Sequence, residues 1–155
     1  MKRYKKIIFA AESGTCRAPM AAGLLRGEDL GYEAEILARG LVVLFPEPLN
    51  GKAEAVMAGK GIRMEDYRSR GLIQEDFSPD TLVIVFNESM RRKIMNLFGE
   101  AENVQVLTEL TGEELEIMDP YGGDLMSYGL CLESMVRPIR ALACMLRGAK
   151  EELHE

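Results

Sequence analysis

Ile7-Ile8-Phe9-Ala10-Ala11-Glu12-Ser13-Gly14-Thr15-Cys16-Arg17-Ala18-Pro19-Met20 is the stretch on which the fold turns, and it reads as strand, short loop and helix. Ile7 to Ala10 is an apolar run suited to a buried strand. Gly14 permits a positive φ in the turn, and Pro19 falls near a helix start, where a missing N–H costs nothing. A loop of this kind turns several backbone N–H groups inward. Together with the positive end of the helix dipole and the Arg17 guanidinium, these donors form a cradle suited to a phosphate-like dianion, with Arg17 as the fork for two of its oxygens.

Outward from this stretch, strands and helices alternate without linker, repeat or low-complexity segment. A helix is predicted from about residue 18 to 27, with Met20, Leu24 and Ala21, Leu25 at i, i+4 spacing, followed by a strand over 34–38. Residues 40–48 form an irregular apolar loop, and Ala53, Val56 and Met57 mark a second helix that stops near Gly59 and Gly61. Thr81 to Phe86 is unbroken and β-branched, as a strand covered on both faces should be. Ser89 to Phe98 places Met90, Ile94, Leu97 and Phe98 on one helical stripe, and residues 104–107 supply a fourth strand. The last helix, 125–147, carries Tyr128, Leu132, Met135, Ile139, Leu142 and Leu146, with Pro138 as a kink. The expectation is an α/β fold in three α/β/α layers around a four-stranded parallel sheet, formed by one domain over residues 1–155. Its ligand site should lie at the carboxyl ends of the strands, where the 11–17 loop follows the first strand.

Composition narrows the function. With 47% hydrophobic and 28% charged residues, the chain has ordinary globular composition and is long enough for one core. No run of some 18 apolar residues appears, so no membrane span and a cytoplasmic location are expected. A formal charge of −6 and a pI near 5.0 argue against a nucleic-acid partner. Cys16, Cys131 and Cys144 are too few and too irregular for a disulfide framework or a zinc site, and no metal or other cofactor is expected. The single histidine, His154, is the penultimate residue, which removes Ser-His and Cys-His chemistry unless the terminus folds back.

Cys16-Arg17-Ala18-Pro19-Met20-Ala21 resembles the second half of the phosphate-loop signature of the low-molecular-weight protein tyrosine phosphatases: a cysteine, five residues, an arginine, usually a serine, then Pro-Met-Ala. Ser69-Arg70-Gly71-Leu72 with Glu75-Asp76-Phe77 looks like that family's connection into its third strand. Asp119-Pro120-Tyr121-Gly122-Gly123 is similar to the general-acid loop of bacterial members. The resemblance implies a two-step phosphoryl transfer in which a thiolate attacks phosphorus, an aspartic acid protonates the leaving group, and water releases the cysteinyl-phosphate. It sets Asp119 in the acid position. A carboxyl held by Pro120 beside an apolar, aromatic segment would have a raised pKa, although most Asp-Pro pairs simply start a turn. The resemblance also implies that Phe45 and Tyr121 are the aromatic walls of the substrate pocket. The alternatives are a core-packed loop anchor for Phe45 and a half-buried ring for Tyr121.

Counting back six residues from Arg17 reaches Ala11, where the resemblance places the nucleophilic cysteine. Ala18 stands where the family has the hydroxyl that stabilises its thiolate. The phosphate-binding positions Glu12, Ser13, Gly14, Thr15, Cys16 and Arg17 remain, but Glu12 must point outward if a dianion is to bind. Cys16, beside Arg17 and a helix N-terminus, is the best substitute nucleophile, while Ser13 lacks a base; Cys131 and Arg137 repeat the five-residue spacing without a strand or glycine loop before them. Two functions follow. One is a catalytically impaired, phosphatase-like protein, a pseudophosphatase, whose loop 11–18 binds phosphate, a phosphorylated protein or a small phosphorylated ligand. The alternative is a protein-tyrosine or protein-arginine phosphatase in which cysteine 11 was engineered to alanine, or in which another group attacks. Thr15 and Gly122-Gly123 look like the branch that includes protein arginine phosphatases, where threonine favours phosphoarginine, and Glu12 at the rim would suit a guanidinium.

Overall fold

The structure, a computed structural model, describes residues 1–149, so His154 lies outside the described residues. Four parallel strands, β1 (Lys6–Ala11), β2 (Glu35–Gly40), β3 (Thr81–Val85) and β4 (Val104–Val106), stand in the order β2-β1-β3-β4. β1 lies between two neighbours, and Ile7, Ile8, Phe9 and Ala10 are fully buried. Burying each of the larger three side chains stabilises by roughly 1.5–3 kcal/mol, more than the ~1 kcal/mol span of strand propensity.

Among the described residues five α-helices complete the fold: α1 (Arg17–Arg26), α2 (Gly51–Gly59), α3 (Glu88–Leu97), α4 (Leu107–Thr111) and α5 (Leu125–Arg147). The chain moves one way across the sheet from β1 to β2 and the other way from β3 to β4. Right-handed crossovers therefore set α1 and α3 on opposite faces. α1, α2 and α5 pack against one another, and α3 packs on β3 and β4. The order reverses at β1, so its carboxyl end, with the loop into α1, is the topological switch point where α/β sheets bind ligands.

The expected α/β architecture is present, with local differences. β2 starts one residue later than predicted and runs on to Gly40, because Gly40 pairs with Ala11 and bridges to Gly71. β4 stops at Val106, and Leu107 begins α4, a short helix absent from the sequence expectation. Leu97 leaves the predicted α3 stripe for solvent, while Met90 and Ile94 are buried. All six residues predicted for the inner face of α5 are buried, and the helix continues through Pro138 as one element.

Candidate functional site

The loop between β1 and α1 has its carbonyl oxygens turned onto the surrounding chain. Leu41 N–H donates to Ala11 O at 2.8 Å, Val42 N–H to Glu12 O at 3.0 Å, Asn50 N–H to Thr15 O at 2.9 Å and Met20 N–H to Cys16 O at 3.1 Å. The Tyr67 hydroxyl donates to Gly14 O. In a planar trans peptide the carbonyl of one residue and the N–H of the next point in opposite directions. With these five carbonyls committed, the N–H groups of Glu12, Ser13, Thr15, Cys16 and Arg17 each point away from the residue that holds the preceding carbonyl. Those of Ser13, Gly14 and Cys16 have no partner among the described residues. Cys16, the N-cap of α1, makes no side-chain cap, which leaves the first-turn donors open. The loop thus offers open N–H donors at the positive end of a helix.

Two glycines make this geometry possible. Gly14 has φ +73°, and a Cβ built there would lie 2.8 Å from the Gly40 backbone nitrogen; a Cβ on Gly40 would lie 2.7 Å from Ser13 O. The β1–α1 loop and the end of β2 touch backbone to backbone. Ser13 Oγ and Thr15 Oγ1 share a 2.8 Å hydrogen bond on the loop.

Arg17 is buried and aimed at the 117–119 segment. Its Nη1 donates to Ile117 O at 3.2 Å, Nη2 lies 3.6 Å from Asp119 Oδ2, and its Cζ stands 5.5 Å from the centre of the Phe86 ring. Phe86 in turn stacks on Phe9 at 6.4 Å, so core packing fixes the guanidinium. A cavity of about 390 Å³ opens beside it, lined by Glu12, Arg17, Asn87, Ser89 and the 116–119 segment.

Glu12 is half exposed and lines the cavity beside Arg17. Its Oε1 accepts from Lys93 Nζ of α3 at 2.9 Å, and this pairing offsets the carboxylate's charge toward the cradle. Asp119 departs from the sequence expectation. Its carboxyl is half exposed and faces the Arg17 guanidinium, while Oδ1 accepts from Tyr121 N–H at 3.1 Å. The desolvating aromatic setting is missing because Tyr121 turns to solvent at 85% exposure. Phe45, at 64%, is exposed as well, so neither the core-anchor nor the half-buried alternative describes these two rings.

Cys16 is also corrected. Its neighbourhood does not favour a thiolate: burial, with Cys131 and Asp119 nearby, pushes the thiol up to about 12, and Arg17 offsets only part of this. Cys131 is likewise pushed up to about 11 by burial. Among the described residues no cluster of His, Cys, Asp and Glu could hold a metal, and no helix is long and apolar enough to cross a membrane.

The sequence profile of the family described as Low molecular weight phosphotyrosine protein phosphatase matches residues 6–153. The chain belongs to this family. The protein-arginine-phosphatase of Bacillus subtilis is 31% identical over 149 residues, spanning 91% of this chain and 96% of that one. The low molecular weight protein-tyrosine-phosphatase PtpB of Staphylococcus epidermidis is 28% identical over 123 residues, 79% of this chain and 86% of that one. Among solved structures, the YwlE arginine phosphatase from Geobacillus stearothermophilus superposes with a TM-score of 0.82 at 27% identity, over 92% of each chain.

In this member of the low molecular weight phosphatase family, Ala11 closes β1 and carries no group able to attack phosphorus. The structure brings together the 12–17 loop, Arg17 and Asp119, and leaves Phe45 and Tyr121 on the surface. Several supporting residues went unread in the sequence. Asn50, which caps α2 through Oδ1 while its N–H holds Thr15 O, had a legible signal, an asparagine just before a helical pattern. Tyr67, Lys93 and the Ile117 carbonyl had none, since each reaches the loop only through the tertiary fold.

Proposed function

We propose that loop 11–18 binds phosphate or a phosphorylated protein or small ligand without hydrolysing it, so that the chain acts as a pseudophosphatase. The observation that carries this is Ala11, which stands where the family resemblance places the nucleophilic cysteine. Binding is supported by the open N–H groups of the loop, by the pairing of Glu12 with Lys93, and by the Arg17 guanidinium, which on this reading turns N–H groups not engaged by Ile117 O toward the anion. Loss of turnover is supported by the other candidates. A Cys16 thiol near 12 is thiolate in only about one molecule in 10⁵ at pH 7, and the Ser13 hydroxyl is paired with another hydroxyl instead of a base. On this reading Asp119 keeps the acid's position without a leaving group to protonate, and Phe45 and Tyr121 flank the bound ring or guanidinium.

The test is a titration of the protein and its Arg17→Ala variant with inorganic phosphate or orthovanadate, read by thermal unfolding. At ten times Kd the ligand should stabilise the protein by about 1.4 kcal/mol, a rise of several degrees, and Arg17→Ala should show no rise. No shift in either protein refutes the cradle. Hydrolysis of an aryl phosphate by the unaltered chain, lost in Arg17→Ala, would favour a working phosphatase with a substitute nucleophile.

A further inference from the structure

The 112–121 segment and α5 enclose a second cavity, of about 770 Å³, on the far side of the wall that holds Arg17. One side is a stripe of α5: Ser127, Leu130, Ser134 and Pro138, spaced three or four residues apart. At 1.5 Å per residue this stripe is about 16 Å long, three turns of helix. The opposite side presents Leu115 and Met118. Leu115 is 83%, Met118 81% and Leu130 65% exposed, whereas Ile117 between them is buried. The walls are joined at the floor, where Cys131 Sγ donates to Met118 O at 3.4 Å, and Arg17 holds Ile117 O from behind. Large apolar side chains facing water across a fixed groove mark a surface meant to be covered.

Charge selects what covers it. Glu113, Glu114, Glu116 and Asp119 line the groove, Asp119 being shared with the cavity beside Arg17, and no lysine or arginine lines it. Glu116 is committed to the Glu88 N–H at 3.2 Å, and Glu113 has only a 3.8 Å approach from exposed Arg137. Glu114 has no partner among the described residues. An acidic lip repels nucleic acid and anionic lipid, and an isologous dimer would set acidic lips against each other. No strand edge borders the groove, which removes strand addition. We propose that this groove docks a cationic amphipathic helix of about three turns, its apolar stripe on Leu115, Met118 and Leu130 and its lysines or arginines on Glu113 and Glu114. This surface does not rest on the phosphate-binding reading.

The probe is a fluorescein-labelled 14-residue peptide with leucines at i, i+3, i+4 and i+7 and lysines elsewhere, followed by fluorescence anisotropy on the whole chain at physiological salt. Saturable binding is expected, weakened at least tenfold by Leu130→Glu and by the pair Glu113→Lys, Glu114→Lys. The pair Glu100→Lys, Glu102→Lys, before β4, should leave it unchanged. Leu130 is exposed, so the melting temperature of Leu130→Glu should stay close to that of the parent and exclude misfolding. No binding, equal binding to Leu130→Glu, or equal binding of a leucine/glutamate peptide would overturn the proposal. So would sedimentation revealing a dimer that Leu130→Glu dissolves, which would give the face to a second copy of the chain.

Discussion

The Arg17 guanidinium donates from Nη1 to the carbonyl oxygen of Ile117 at 3.2 Å, across 100 positions of sequence. This bond, with Asp119 at 3.6 Å, ties the start of α1 to the segment that separates the two cavities. Arg17→Ala leaves a buried carbonyl unpaired, which costs about 1–3 kcal/mol, so the melting temperature should fall by roughly 2–12 °C besides losing anion stabilisation. Arg17→Lys should keep more of the charge than of the fork, and bind phosphate more weakly than the parent. Thermal unfolding with and without phosphate separates the two effects. An unchanged melting temperature in Arg17→Ala would mean the Ile117 bond contributes nothing.

Lys93 and Glu12 form an exposed pair, so either substitution should alter stability by less than about 1 kcal/mol. Their effects on anion affinity should be opposite. Lys93→Ala leaves the Glu12 carboxylate unpaired beside the Arg17 cavity and should weaken phosphate binding several-fold, and Glu12→Gln should strengthen it. Calorimetry at low and high salt measures both, and the difference should shrink as salt screens the pair.

Gly14→Ala combines φ +73° with a Cβ 2.8 Å from the Gly40 nitrogen. A cost on the order of 1–3 kcal/mol is expected, with loss of phosphate binding, because the clash is with backbone that cannot rotate away. Asparagine, which tolerates the left-handed region, should relieve the φ cost and retain the clash. Denaturant unfolding of both variants tests this. Equal stability of parent and Gly14→Ala would show that the loop shifts freely.

Stability should fall as pH rises above about 9. Cys16 has an ordinary value of 9.0 and a folded value of about 12, so over that interval the unfolded chain releases a proton that the folded chain retains. The stabilisation is complete below 9 and disappears toward 12. Cys131, raised to about 11, and Tyr67, raised to about 12, act in the same direction. Comparing the melting temperatures of the parent and Cys16→Ala between pH 8 and 10.5 isolates the Cys16 share: the gap should narrow with rising pH. A constant gap would remove burial as the cause.

Restoring the nucleophile requires two changes on the proposed function. Ala11→Cys supplies a thiol, but Ala18 is fully buried and gives it no hydrogen bond. A serine at 18 needs a partner in that dry position, and a thiolate at 11 is the one the family resemblance supplies. Ala11→Cys with Ala18→Ser should hydrolyse aryl phosphate at least tenfold faster than Ala11→Cys alone, about 1.4 kcal/mol. Steady-state assays of both variants decide it, and equal rates would detach Ala18 from thiol chemistry.

The strand, glycine turn and helix of residues 7–20 are local matters: apolar run, permissive φ and proline placement act within a few residues and are legible without the fold. The alternation of strands and helices likewise implied a parallel sheet with its site at the strand ends. Helix ends shifted by a residue or two, and α4 was missed, because five residues give too little periodicity to detect. The environment of each functional group was decided only by the tertiary structure. Proximity of Cys16 to Arg17 in sequence suggested an easily ionised thiol, yet packing partly buries it near Cys131, and desolvation outweighs one neighbouring charge. Asp119 was placed by sequence in an apolar loop, and the fold gave it the guanidinium instead. Glu12 received its cation from α3, 81 positions away, and the groove along α5 is bounded by the 117–118 backbone, to which Arg17 and Cys131 donate. Backbone propensity is written in neighbouring residues, whereas charge, burial and exposure depend on what distant segments bring to the same place.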